Sequence, residues 1–381
     1  MGNLLDYLDW RGDLELNTVP FGEVDGLILS CLSYARLEDI VPGIGEGSIT
    51  IHEAAKEFFR VHPQEELKKD QSFTNFSPRI LEKCAMSRRF GNATVSHFVN
   101  EVDPSKDLQF SAMQIVTDDG IPFVSFRGTD DTLTGWKEDF NISYQLVPAD
   151  RRAASYLEMV QKDDKRPLRI GGHSKGAHLA VYAASTASPS IKDRIIAIYE
   201  EDGPGFNEEM IRDSRMEKLA PLIHRVTPTT SIIGTLLLHY REPVIVKSSE
   251  TGVNEHSPVS WQVMGDHFLL SPTYSRAGEL FDETFNTWIA GEDMEHRKGF
   301  IDDLFSCLEA SGATTVSELR RHTPKQTKAI WDRLRQINPE SRVTLEKLIT
   351  IFIGELFAAK GTIKKLVNTS LPWRQRISSE E

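Results

Sequence analysis

Cysteine is scarce in this chain, and what there is lies scattered. Cys31, Cys84 and Cys307 are the three cysteines among 381 residues. Their number is odd and none sits in a C-x-x-C pair, which excludes the usual zinc spacing and gives no disulfide framework. Cys31 and Cys307 fall in apolar periodic stretches, where cysteine acts as a small core residue. No local signature of a nucleophilic cysteine surrounds any of the three. Long apolar runs are also missing: no stretch approaches the ~18 residues that a membrane span requires. Positive charge is not in excess, with 44 Lys and Arg against 56 Asp and Glu, a formal charge of −12. That balance argues against nucleic acid as the main partner, because phosphate binding needs clustered cations. The opening MGNLLDYLDWRGDLELN has no basic segment leading into an apolar one, so no secretory signal is read. Asp6 stands where a myristoylation site requires Ser or Thr. A cytoplasmic location without membrane association is the expectation.

What is present is an ordinary globular composition, 39% hydrophobic and 26% charged, sufficient for a large core. Val24, Leu27, Ile28, Cys31, Leu32 and Ala35 fall on one helical face. Further helices are expected near 51–60 and 77–89. From about residue 93 the pattern changes to Val, Ile, Phe and Thr in ATVSHFVNEVD, LQFSAMQIVT and IPFVSFRG, with Asp119-Gly120 where a hairpin turn belongs. A helix near 151–162, the strand LRIGG, a helix at 175–187, the strand RIIAIYEEDG, a helix at 207–219 and the strands LIHRVTP and PVIVKSS follow. Strands alternating with helices predict a mainly parallel sheet covered on both faces, with the hairpin as an antiparallel edge. Beyond about 275 the pattern is helical, most apolar at Val343–Phe357, read as a core or docking helix. The final ISSEE reads as a frayed tail. The expected organisation is a helical segment at 1–92, an α/β core at 93–274 and a helical region at 275–381.

Gly172-His173-Ser174-Lys175-Gly176 matches G-x-S-x-G, a weak signal alone. Its setting strengthens it: PLRIGG before it has a buried-strand pattern and AHLAVYAAS after it a helical one. Strand, sharp turn and helix form the elbow that lifts a serine hydroxyl above a sheet, where a base can take its proton. The two glycines leave room for the turn, and the helix start aims N–H groups and its dipole at a developing oxyanion. The competing reading is a glycine-rich turn with an inert serine.

About fifty residues earlier, PFVSFRGTDDTLTGWKEDF ends a strand and enters a loop, where a second oxyanion donor belongs. Gly128 permits close backbone approach, and Thr129 offers an N–H and a hydroxyl. FRGT, a W-x-x-D stretch and GHSKGAHLA, in that order, resemble the class-three (fungal-type) lipases of the α/β-hydrolase superfamily. With EEDGPGF and a later HSPVSW, the chain is also similar, over about residues 24–290, to a bacterial lipase-like family of unknown function called Mbeg-like. The resemblance implies an α/β-hydrolase fold with Thr129 and Lys175 as the backbone donors of an oxyanion hole. The chain departs from the lipases at Lys175, where a small or apolar residue is usual, and at RVTPTTS, which lacks their acid. Arg127 and Asp139 read as a structural salt bridge or cap.

In this superfamily the chain order is nucleophile, acid, histidine. His178, His224, His239, His256 and His267 all follow Ser174. His256 is preferred, because SETGVNEHSPVSW is a loop following a strand, whereas His178 lies within a helix, His224 within a strand and His239 in an apolar run. Asp202 is the preferred acid, at the end of a strand and before Gly-Pro-Gly; a turn-forming Asp is its bland reading, and Glu255 is the alternative. These residues predict a serine hydrolase acting on a small acyl substrate (an ester, thioester or related bond) without metal or cofactor. The reading from another class is a catalytically inactive binding or scaffold protein that keeps the fold.

Overall fold

A strand whose successive side chains are all apolar needs cover on both faces. Phe123 and Val124, Ala112 and Met113, and Ile198 and Tyr199 are neighbours of this kind, and in each pair the two side chains join different hydrophobic clusters. The computed structural model describes residues 2–358 apart from 71, 104, 106, 107, 143, 144, 213–215, 217, 320–322 and 338. Its centre is an eight-stranded sheet in chain order, with β1 Ser48–Thr50, β2 Thr94–Asp103, β3 Leu108–Val116, β4 Pro122–Phe126, β5 Leu168–His173, β6 Ile195–Glu201, β7 Ile223–Pro228 and β8 Val244–Val246. β1 to β4 pair antiparallel and β4 to β8 parallel. The expected hairpin joins β3 to β4, with Gly120 at φ 76° in its turn.

The helices are α1 Leu4–Arg11, α2 Glu23–Leu32, α3 Ile51–Val61, α4 Gln64–Leu67, α5 Ser77–Met86, α6 Leu133–Asn141, α7 Pro148–Gln161, α8 Lys175–Thr186, α9 Pro189–Lys192, α10 Glu208–Ile211, α11 Arg276–Gly291, α12 Met294–Glu309, α13 Val316–Leu319, α14 Pro324–Leu334 and α15 Pro339–Ala358. The cluster on one sheet face takes in α7, α8 and the helices after residue 275. The cluster on the other takes in α1, α2, α3 and α5. This is the expected α/β-hydrolase architecture, a mixed sheet with helices on both faces.

Two local expectations change. The segment before residue 92 supplies the edge strand β1 as well as helices. β1 is three residues long, too short to show a period, and runs directly into α3, whose Thr50 caps it reciprocally with Glu53. Of the helix expected at 207–219 a single turn, α10, is seen, capped by the Asn207 side chain, while 213–215 and 217 lie outside the described residues. The apolar C-terminal stretch is helical in α15, with Leu345, Leu348 and Ile349 buried. α15 packs on α11, α12, α14 and the turn at Gly252–His256. The ISSEE tail lies outside the described residues. Among those residues, no helix is long and apolar enough to cross a membrane.

Candidate active site

β5 ends at His173 and α8 begins at Lys175, so Ser174 must turn the chain alone. It does so at φ 60° and ψ −136°, a conformation that costs a residue with a side chain about 1–3 kcal/mol and persists only where its surroundings enforce it. Those surroundings are visible. The Ser174 N–H donates to Glu201 O at 2.9 Å and its carbonyl accepts from Ala177 N–H at 2.9 Å. A Cβ on Gly172 would lie 2.3 Å from the Gly176 carbonyl, and one on Gly176 2.1 Å from Phe126 O. Both glycines of the motif are therefore required by close backbone approach.

The chain brings an imidazole and a carboxylate to this serine in the order read from the sequence. The Ser174 Oγ lies 2.9 Å from His256 Nε2, and His256 Nδ1 lies 2.5 Å from Asp202 Oδ2. A carboxylate at Nδ1 accepts the ring proton there, leaving the Nε2 lone pair for the serine hydroxyl. Asp202 follows β6 in the left-handed region, at φ 48°, with its N–H donating to Val226 O at 2.9 Å. Its side chain is fully buried. The Ser231 hydroxyl donates to the other carboxylate oxygen, Oδ1, and accepts the Gly234 N–H at 2.8 Å. Both acid oxygens are thus committed. The His256 ring lies near-parallel to Phe73, with centroids 5.4 Å apart, and edge-on to Trp136 at 5.8 Å. With these covers in place Ser174 is 4% exposed.

The other carboxylate and histidines go elsewhere. Glu255 accepts from the Thr229 hydroxyl at 2.6 Å and the Thr230 N–H at 2.9 Å, so it holds the loop after β7. His178 meets Asp150 and the carbonyls of Pro204 and Gly205, and His239 pairs with Glu200 at 2.6 Å. His224 lies by Glu23, and His267 beside Asp266 is exposed.

Gly128 carries the loop after β4 against the elbow: a Cβ there would lie 2.9 Å from Ser174 Cβ. Thr129 follows, buried, its hydroxyl donating to Asp139 Oδ1 at 2.8 Å. Asp139, the last residue of the W-x-x-D stretch, therefore anchors this loop from α6, in place of the expected salt bridge or cap. Burial pushes its carboxyl up to about 7, with Lys175 and the Thr129 hydrogen bond opposing the rise. Arg127 donates to Asn100 Oδ1 at 3.0 Å. The Lys175 ammonium turns away from the serine to Glu138 Oε2 at 3.0 Å and Gln109 O at 3.3 Å. It is buried, so it neutralises a carboxylate on α6 and presents no cation to a substrate.

Three residues at the site carried no sequence signal that singled them out: Ser231, Gly234 and Phe73. They come from loops whose partners only folding brings near. Trp136 belonged to a motif whose role the motif does not state. Among the described residues no group of three or more His, Cys, Asp and Glu is placed to hold a metal ion. All three cysteines are buried.

Among solved structures, M37 lipase is similar at 16% identity, over 55% of this chain and 68% of that one, with a TM-score of 0.33. No curated protein matches the chain. Residues 84–306, from β2 into α12 and including Thr129, Ser174, Lys175, Asp202 and His256, match the Mbeg1-like family. The chain belongs to the Mbeg1-like family.

Proposed function

We propose that this chain is a serine hydrolase that cleaves an ester, thioester or related acyl bond through an acyl-enzyme on Ser174. The observation that carries the reading is the continuous hydrogen-bonded line from Ser174 Oγ to His256 Nε2 at 2.9 Å and from His256 Nδ1 to Asp202 Oδ2 at 2.5 Å. In this reading His256 takes the Ser174 proton as Oγ attacks the carbonyl carbon, and Asp202 stabilises the imidazolium. The negative oxygen of the tetrahedral intermediate is held by the N–H groups of Thr129 and Lys175, the latter at the start of α8 where helix amides lack intrahelical partners. Collapse breaks the bond to the leaving alcohol or thiol, which takes the proton from His256 Nε2. Water then repeats the sequence on the acyl-enzyme, releasing the acid and restoring the serine hydroxyl. No step uses a metal or cofactor.

Trp136 touches both the His256 ring and a small apolar cavity, about 20 Å³, that Leu133, Phe140, Phe281 and Leu348 also line. That space is about one water-sized sphere, too small for an acyl chain. The near-complete burial of Ser174 is the observation favouring the second reading, a catalytically inactive protein that uses the fold for binding. A fluorophosphonate probe separates them. Labelling that maps to Ser174, is lost in Ser174→Ala and is accompanied by hydrolysis of one or more p-nitrophenyl esters supports the hydrolase. A folded protein that neither labels nor hydrolyses across a range of acyl lengths supports the binding role.

A further inference from the structure

His173, the residue between Gly172 and Ser174 in the elbow, reads in sequence as a spacer, but its ring is part of a buried line of hydrogen bonds. Its Nε2 lies 2.9 Å from the carbonyl oxygen of His256, and its Nδ1 lies 3.1 Å from the hydroxyl of Tyr34. The two histidine rings pack with centroids 4.6 Å apart. Tyr34 comes from the end of α2, on the opposite side of the sheet from α8. Its hydroxyl also lies 3.1 Å from His173 O and fills the place that a Cβ on Gly128 would take, 2.1 Å away. One oxygen thus touches the oxyanion loop and the elbow, and through the His173 ring reaches the loop of His256.

Hydrogen-bond chemistry favours one placement of the protons. His173 is fully buried, which keeps its imidazole well below the usual histidine range, with the neighbouring His256 acting in the same direction. A neutral imidazole has one donor and one acceptor nitrogen. The His256 carbonyl can only accept, so it favours the proton on Nε2. Nδ1 is then an acceptor, and the Tyr34 hydroxyl, which lies 3.1 Å from both Nδ1 and the His173 carbonyl oxygen, is placed to share its proton between them. In the other tautomer two lone pairs would face each other across 2.9 Å, and the buried carbonyl would lose its donor.

We propose that Tyr34 is a positioning residue that acts through His173: its hydroxyl selects the Nε2–H tautomer, and that N–H holds the His256 backbone so that the imidazole faces Ser174. The proposal rests on the reading of Ser174, His256 and Asp202 as a catalytic triad. It also gives the N-terminal segment a part in the site that the match at 84–306 does not include.

A double-mutant cycle tests it. Tyr34→Phe removes only the hydroxyl. His173→Gln keeps an amide donor for the His256 carbonyl but has no ring tautomers to select. The expected result is that Tyr34→Phe slows fluorophosphonate labelling of Ser174 about tenfold, the scale of one buried hydrogen bond. In a His173→Gln background the same change should add less than about twofold, because the two residues act as one unit. Nitrogen-15 spectra of histidine-labelled protein should show His173 as the Nε2–H tautomer in wild type and as a mixture in Tyr34→Phe. Multiplicative rate effects, or an unchanged His173 tautomer in Tyr34→Phe, would overturn the proposal and leave Tyr34 a packing residue. If the wild type is never labelled, the hydrolase reading fails by itself. The spectra still decide whether Tyr34 sets the tautomer. If Tyr34→Phe does not fold, 3-fluorotyrosine at position 34 keeps the hydroxyl while sharpening its acidity. It should then shift the His173 Nδ1 resonance, and no shift would count against the contact.

Discussion

Phe73 lies over the His256 imidazole, its ring within 17° of parallel and 5.4 Å away between centroids. It belongs to the loop before α5, in the segment ahead of the main run of strands, so the histidine is covered by a part of the chain far from it in sequence. The same phenyl ring meets Trp136 edge-on at 6.4 Å. Phe73→Ala should open this cover. The expected outcome is a several-fold larger labelling rate with a bulky fluorophosphonate and a smaller change with a compact one. Equal changes for the two probes would show that Phe73 does not restrict access.

Gly234 packs against the Asp202 carboxylate. A Cβ at that position would stand 2.3 Å from Asp202 Oδ1 and 2.7 Å from Ser231 Oγ. Gly234→Ala must therefore displace the carboxylate or the serine that bonds it. Misplacing a catalytic group by about 1 Å can cost ~10²-fold, and a loss of labelling rate on that scale is expected with the circular dichroism spectrum retained. A rate within twofold of wild type would show that the acid does not need its present position.

Asp139 should leave a mark on the pH dependence of stability. Its carboxyl is pushed up to about 7 in the folded protein from an ordinary value of 3.8, with burial the main cause. Between those values the folded state holds a proton that the unfolded state has released. This contribution to stability is full below pH ~4 and is lost as pH rises toward ~7. Asp139→Asn should remove that slope, making the variant gain on wild type as pH goes from about 4 to about 7. Urea denaturation at several pH values measures it, and parallel curves for the two proteins would contradict the assignment. Thr129→Val, which removes the hydroxyl that Asp139 accepts, should cost about 1–3 kcal/mol in the same assay.

Lys175 and Glu138 form an ion pair whose lysine side chain is 1% exposed. Truncating one member of such a pair leaves the other without its charge and typically costs about 3–5 kcal/mol, whereas apolar replacement of both can be near neutral. Lys175→Met is expected to destabilise by about 2–4 kcal/mol, discounted because Glu138 keeps some contact with water. Adding Glu138→Leu should recover most of the loss. Equal loss in the single and double variants would show that the ion pair is not the source.

The elbow at Ser174 and the alternation of strands and helices were legible from residue order, because each depends on neighbours within a few positions. G-x-S-x-G between an apolar strand and a helical run leaves few backbone paths, although the close approach of Phe126 O that also requires both glycines is made by the neighbouring strand β4. The three-residue strand β1 was not legible, since an element that short carries no period. Tertiary structure alone decided which carboxylate faces His256. Asp202 and Glu255 both sit at suitable places in the chain, and only the fold turns one toward Nδ1 and the other toward Thr229 and Thr230. It also decided that Lys175 points to Glu138, that Asp139 holds Thr129 rather than an arginine, and that Phe73 and Tyr34 reach the site from the N-terminal segment. These are contacts between residues tens to more than a hundred positions apart (Asp139 with Thr129 excepted), each made when strands and helices pack. No local pattern encodes them, because what selects the partner is the hydrogen-bonding and apolar surface that the rest of the fold brings alongside.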